Sequence, residues 1–146
     1  MSEPTRLAGL HSWLLTQTAA QASRLVNEGF ASADARGYHF RVLATLDEHG
    51  PASQAALGRR SGIHLSDLVA AINELADRGF VERSPDPGDR RRNIVTVTAA
   101  GREQLARLDR QLADVQERLL VPLTGPERAE LATLLGKLLG YHRMSS

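Results

Sequence analysis

The stretch SPDPGDRRRN, Ser84 to Asn93, sets three consecutive arginines directly after Asp86, Pro87, Gly88 and Asp89. Asp-Pro and Pro-Gly are turn dipeptides, so Arg90, Arg91 and Arg92 fall at or just past the tip of a turn. Like charges packed there repel one another and stabilise nothing inside the protein. The residues on either side have a different character. Phe80 to Arg83 reads as a short strand. Asn93 to Thr98 reads as a second, with β-branched Ile94, Val95 and Val97 around Thr96. Two strands about one turn predict a hairpin with arginines at its end.

Upstream of the hairpin, Ser53 reads as a helix N-cap whose hydroxyl accepts from an early backbone N–H. A short helix follows through Ala55, Ala56 and Leu57 to about Arg60, and Ser61–Gly62 make a tight turn. The next helix carries Ile63, Leu65, Leu68, Ile72 and Leu75 and stops at Gly79. Two short helices joined through a glycine are a helix-turn-helix signature. With the hairpin behind them they predict a winged helix.

Apolar-striped helices flank this middle. Leu7, Leu10 and Leu14 begin a helical pattern that runs to Leu25 and Val26, with an exit around Asn27, Gly29 and Ser32. A second helix holds Phe40, Val42, Leu43 and Leu46 and stops at Gly50–Pro51. After the hairpin, Thr98 is placed to cap a helix whose Leu105, Leu108, Leu112, Val115 and Leu119 approach a heptad seam, ended by Pro122. Thr124 and Glu127 form a capping-box pair ahead of Leu131, Leu134, Leu135, Leu138 and Leu139. The expected fold is mainly α with a small β-hairpin wing. A winged helix-turn-helix spans 33–99, helices at 5–30 and 100–143 flank it, and 1–146 form a single subunit.

A chain of 146 residues, 42% hydrophobic and 24% charged, can build one core with appended helices. The net charge is only +1, so any basic footprint must be local. Cysteine is absent, which excludes disulfides, thiolate metal sites, cysteine nucleophiles and thiol redox sensing. Acidic Glu3 and the lack of a long apolar run argue against a secretory leader. No stretch approaches the roughly 18 apolar residues that would span a bilayer. The expected location is the cytoplasm.

The winged-helix arrangement suits DNA. The second helix of the pair can lie in the major groove, where base edges carry a distinguishable code. The hairpin tip can reach a neighbouring minor groove, whose negative potential attracts arginine. Arg90 and Arg91 are then poor for folding but suited to a phosphate-lined groove. Asp89 can brace a guanidinium by a forked, charge-assisted pair, while Asp86 serves the turn. The alternative is a solvated loop.

The segment from Phe40 to Leu105 resembles the MarR family of winged-helix transcription regulators. The resemblance rests on ELADRGFVER at the recognition-helix exit and on the D-x-R wing pattern with a later threonine, here Asp89, Arg91 and Thr98. The flanking helices match as well. The resemblance implies a homodimer in which the first helix and the last two interlock, making 5–30 and 100–143 dimerisation helices. It implies a double-stranded DNA operator of pseudo-palindromic form. It implies that Arg91 enters the minor groove braced by Asp89, and that Ser66 meets phosphate or base. Ala70 and Asp67 depart from the residues common at those positions. Asp67 either accepts from a cytosine amine or caps its own helix. His64 and Asn73 are the other polar candidates on that helix. Arg59, Arg60 and Ser53 either meet phosphates or are solvated or self-capping.

The resemblance also implies release from DNA by a small aromatic acid or phenol held between the dimer helices and the winged unit. His11, Trp13, Tyr38 and His39 are candidates to pair with its carboxylate and stack on its ring; the alternative for each is packing or exposure. No cofactor or metal is expected, because the histidines lack the i,i+4 spacing of a helical metal site. Two other function classes stand beside DNA regulation. A winged helix that has lost DNA and binds a protein is slightly favoured by the thin polar content of the recognition helix, and the intact wing argues against it. An enzyme has no paired carboxylates, nucleophile–base pair or phosphate loop to rest on.

Overall fold

The computed structural model describes residues 5–145. Glu3, used above against a leader, lies outside them. A single 3-10 turn at Leu7–Gly9 is followed by α1 (His11–Ala31), α2 (Gly37–His49), β1 (Ala52–Ser53), α3 (Gln54–Ser61) and α4 (Leu65–Asp77). Then come β2 (Val81–Asp86), β3 (Asp89–Val97), α5 (Ala99–Leu119) and α6 (Gly125–Met144). The fold is mainly α with a β-hairpin wing, a winged helix-turn-helix between N- and C-terminal helices.

The core lies inside the winged unit. On α4, Leu68, Ala71, Ile72 and Leu75 are buried. Their i, i+3, i+4, i+7 spacing is one helical face. That face joins one core cluster with Val42, Leu43 and Leu46 of α2, Leu57 of α3 and Leu108 of α5. Ser53 caps α3, its hydroxyl accepting from the Ala56 N–H at 3.2 Å. Gly62 ends α3 at φ +69, a left-handed position that a side chain would strain. Thr124 and Glu127 cap α6 reciprocally at 3.3 and 2.9 Å.

Three expectations change. The first helix is not continuous from Leu7: Leu10 is extended, with ψ 118, and separates the 3-10 turn from α1. Nor does α1 end at Asn27 or Gly29. A Cβ on Gly29 would stand 2.5 Å from Val115 Cγ2, so the glycine lets α1 approach α5 rather than stopping the helix. The strands are longer than their apolar runs, and β1, too short to carry a pattern, makes the sheet three-stranded in the order β1-β3-β2. β1 pairs Ala52 with Val95 and Ser53 with Ile94, which ties the wing to the start of α3.

Thr98 joins the wing to α5. Its hydroxyl donates to the Gly79 carbonyl at 2.7 Å and accepts from the Gly101 N–H at 3.0 Å. Gly101 sits so close to the strand entrance that a Cβ there would lie 2.1 Å from the Phe80 carbonyl oxygen and 2.8 Å from Val97 Cγ2. Backbone cannot swing aside as a side chain can. Gly101→Ala is therefore expected to cost about 1–3 kcal/mol or more. Urea unfolding should show a lower midpoint with an unchanged slope. An unchanged midpoint would mean that α5 is not seated against the wing as described.

Candidate nucleic-acid interface and the cavity behind it

The wing departs from a plain hairpin at its tip. Pro85 pairs with Asn93, but the next pair is Asp86 with Asp89. Arg90, Arg91 and Arg92 are thus left with no cross-strand partner, as the extra residues of a bulge. A bulge bends its strand and re-aims its side chains. The arginines leave the ladder where the chain turns, and all are exposed.

Each is held differently. The Arg91 side chain is 93% exposed, and Asp89 braces it through one oxygen. Oδ1 accepts from the Arg91 backbone N–H at 3.1 Å and from its Nε at 3.4 Å. The forked pair expected from sequence is not made, because the aspartate first satisfies the backbone two residues on. The outer guanidinium nitrogens of Arg91 have no hydrogen-bond partner among the described residues. Asp86 serves the turn by accepting from the Gly88 N–H at 2.9 Å, and its second oxygen takes Arg92 at 3.3 Å. The Gly88 contact first, and then Arg92, hold the Asp86 carboxyl below its ordinary range. Among the described residues nothing pairs with Arg90.

The face of α4 opposite the core exposes Leu65, Ser66, Asp67, Ala70 and Asn73. His64 stands at the N-cap with Nδ1 3.2 Å from the Ser66 hydroxyl. Asp67 lies in the first turn, where its charge complements the helix N-terminus. Leu65 is 61% exposed, and such an apolar side chain at this end can meet a thymine methyl group. Arg59 and Arg60 are exposed in the last turn of α3. Arg83, not singled out in the sequence, donates to Asn73 Oδ1 and so links the wing to α4. With its oxygen engaged, Asn73 cannot present donor and acceptor together to an adenine.

Behind α4 lies an open cavity of about 930 Å³. Its walls are the end of α1, the loop to α2, the start of α2 and the end of α4, with Val26, Ala31 and Ala35 as apolar lining. Tyr38 and His39 line it, with Arg36, Arg41, Glu74 and Arg78. His11 and Trp13 do not; they sit exposed in the first turn of α1.

His39 is buried and its tautomer is fixed. Nδ1 accepts from the Arg36 backbone N–H at 3.2 Å, so Nε2 carries the proton and donates to Glu74 Oε2 at 2.6 Å. Arg36 donates to the other Glu74 oxygen. The His39 hydrogen bond above all holds the Glu74 carboxyl below its ordinary range; desolvation opposes it, and Arg36 adds to the lowering. A depressed carboxyl contributes stability that is full above its unfolded pKa and is lost as pH falls through the folded one. Glu74→Ala should therefore be less stable than the parent near neutrality, with the gap closing below the ordinary carboxylate range. Acid titration of the unfolding midpoint measures this, and a gap that persists in acid would contradict it.

The other two arginines also tie the reading unit to the α1–α2 region. Arg41 donates to the Ser61 carbonyl in the helix-turn-helix turn and lies 5.8 Å from the Tyr38 ring centroid. Arg78 donates to the Asp34 and Ala33 carbonyls at 2.6 and 3.4 Å and covers the Phe80 ring. Among the described residues, no group of three or more His, Asp and Glu stands ready to hold a metal ion, and no helix is long and apolar enough to cross a membrane.

Known proteins are similar to this chain in sequence and fold. The MarR family model matches residues 38–92, from the start of α2 to the last wing arginine. The uncharacterized HTH-type transcriptional regulator YcgE of Bacillus subtilis is 30% identical over 132 residues, 90% of this chain and 79% of its own. The multiple antibiotic resistance protein MarR of Escherichia coli is 30% identical over 129 residues, 86% of this chain and 88% of its own. A solved structure of an Escherichia coli MarR mutant complexed with operator DNA superposes with a TM-score of 0.77 at 28% identity, covering 86% of this chain and 91% of that one. With its helix pair, its bulged arginine wing and these relatives along most of its length, the chain belongs to the MarR family of transcription regulators.

Proposed function

We propose that this protein is a homodimeric, sequence-specific repressor, acting on DNA in the cytoplasm and released by a small aromatic acid or phenol. The observation that carries the reading is the bulge that leaves Arg90 and Arg91 exposed and without cross-strand partners at the wing tip, in a chain that also exposes the polar face of α4. A structural loop has no use for such a device. A major-groove helix with a minor-groove probe does. Ser66, Asp67 and Leu65 are the base-facing candidates and Arg59 and Arg60 the phosphate candidates, while the Ser53 hydroxyl is spent on its own helix cap. The relative solved with operator DNA supports the same partner.

The homodimer is supported by the outer helices. No residue of α6 is buried among those described, although it carries Leu134, Leu135, Leu138 and Leu139 at 40–52% exposure. Trp13, Leu14 and Leu15 are likewise exposed on α1. Apolar surface of this extent on the outer helices marks an interface. The effector reading is supported by the cavity, where Tyr38 offers a ring and arginines and His39 offer donors to an acid.

Selection of bound duplexes from a random pool at two salt concentrations tests the reading. Phosphate contacts alone give affinity that falls steeply with salt and carries no motif. The expected product is an inverted repeat whose half-site centres lie roughly 10 base pairs apart. Salt-sensitive binding without a motif would overturn sequence-specific recognition. No binding at all would favour the protein-interaction reading, to which the apolar Leu65 and Ala70 on the α4 face also belong.

A further inference from the structure

We propose that the cavity reads an aromatic carboxylate by exchange: the ligand's carboxylate takes the place of Glu74 against Arg36 and His39, and so unties the recognition helix from α2. This deepens the effector reading above and rests on it.

The site is already built for one carboxylate. His39 is 4% exposed, and its Nε2 proton cannot turn elsewhere while Nδ1 holds the Arg36 N–H. Arg36 brings a guanidinium to the same carboxylate. A fixed N–H donor beside a guanidinium suits a carboxylate, through charge-assisted bonds of set geometry. At present an internal group fills it. Glu74 comes from α4, the residue next to Asn73 on the DNA-facing side, and the bond spans 35 residues of chain. It is a tether between the reading helix and the element that frames the cavity.

The tether is open to exchange. The side chains of Arg36 and Glu74 are 58% and 41% exposed, so an incoming anion can reach them from the cavity. Two carboxylates cannot both occupy the place without repulsion. The other cavity arginines offer no equivalent. Arg41 and Arg78 hold backbone carbonyls, and drawing them off would leave those oxygens without a donor. Val26, Ala31 and Ala35 supply an apolar wall for a ring once its carboxylate is seated. A ligand shifts a conformational equilibrium only by its differential affinity for the two states. Exchange supplies that difference, because the ligand competes with Glu74 only in the tethered state.

Benzoate is the probe, and benzamide its neutral isostere. For the parent protein and for Glu74→Ala, duplex affinity is measured by fluorescence anisotropy with and without saturating benzoate, and benzoate binding to the free protein by calorimetry. In the parent, benzoate should weaken duplex binding about 5- to 150-fold, in the usual range of allosteric coupling, and benzamide should do nothing. In Glu74→Ala, benzoate should bind the free protein more tightly. The duplex should already be weakened, and the ratio with and without benzoate should fall towards one. Arg36→Gln should lose benzoate binding, and it keeps the test decisive if Glu74→Ala folds poorly by circular dichroism. A parent-like ratio in Glu74→Ala overturns the exchange and leaves the effector reading standing. Removing a nearby negative charge would by itself raise affinity for free and bound forms alike. If benzoate leaves the parent's duplex affinity unchanged, the acid-effector reading fails and the exchange falls with it.

Discussion

Arg91→Ala is expected to abolish specific DNA binding at physiological salt while leaving the fold intact. The side chain is 93% exposed and contacts only Asp89. Surface changes of this kind usually alter stability by no more than about 0.5 kcal/mol. Its value lies in the complex. Hydrogen bonds that involve a charged group contribute about 1.5–3 kcal/mol each. A dimer loses the contact twice, so the loss is about 3–6 kcal/mol, or roughly a hundredfold or more in affinity. The salt dependence should also flatten, by about one unit of slope per phosphate contact removed. Arg92→Ala should do less, because Arg92 is already committed to Asp86. Anisotropy titrations of the selected duplex at several salt concentrations report both numbers. Unchanged affinity would mean that the wing does not touch DNA, and α4 alone would then carry the recognition.

The double variant Leu135→Glu, Leu138→Glu is expected to convert the proposed dimer to monomer. Both side chains lie on α6, 40% and 48% exposed in the single chain. Burying a leucine contributes about 1.5–3 kcal/mol. Four leucines per dimer would lose that contribution, and carboxylates would be forced into the interface, which costs more. Sedimentation should show the mass halved at micromolar concentration. Duplex binding should collapse, because a lone subunit grips one half-site and loses the advantage of linkage. The winged unit should survive, since its core is made by α2 to α5 with Phe30 of α1 and draws nothing from α6. A dimeric double variant would place the interface elsewhere.

The sequence carried the winged unit well because its signals are local. The Ser53 and Thr98 caps, the Gly62 turn and the Thr124–Glu127 box each involve residues a few positions apart, and each forms as expected. Signals that depend on a distant partner were not legible. The helix α1 runs through Gly29 because of where Val115 lies on α5. The arginine bulge follows from the register of Pro85 with Asn93, which no strand pattern encodes. The cavity shows the same limit. Tyr38 and His39 are read from their chemistry, but Arg36, Glu74 and Arg78 look like ordinary solvated charges until the fold brings α4 against the start of α2. Trp13 and His11 had suitable chemistry for a ligand and sit outside the cavity, on a helix face whose exposure fits a partner subunit instead.

Footprinting on the selected duplex tests the central claim most directly. Dimethyl sulfate reports guanine N7 in the major groove, and hydroxyl radicals report the sugar edge of the minor groove. The account predicts two major-groove patches about one helical turn apart, each with a minor-groove protection beside it that disappears in Arg91→Ala. Protection confined to one groove, or a minor-groove footprint that survives Arg91→Ala, would contradict the joint reading of DNA by α4 and the wing.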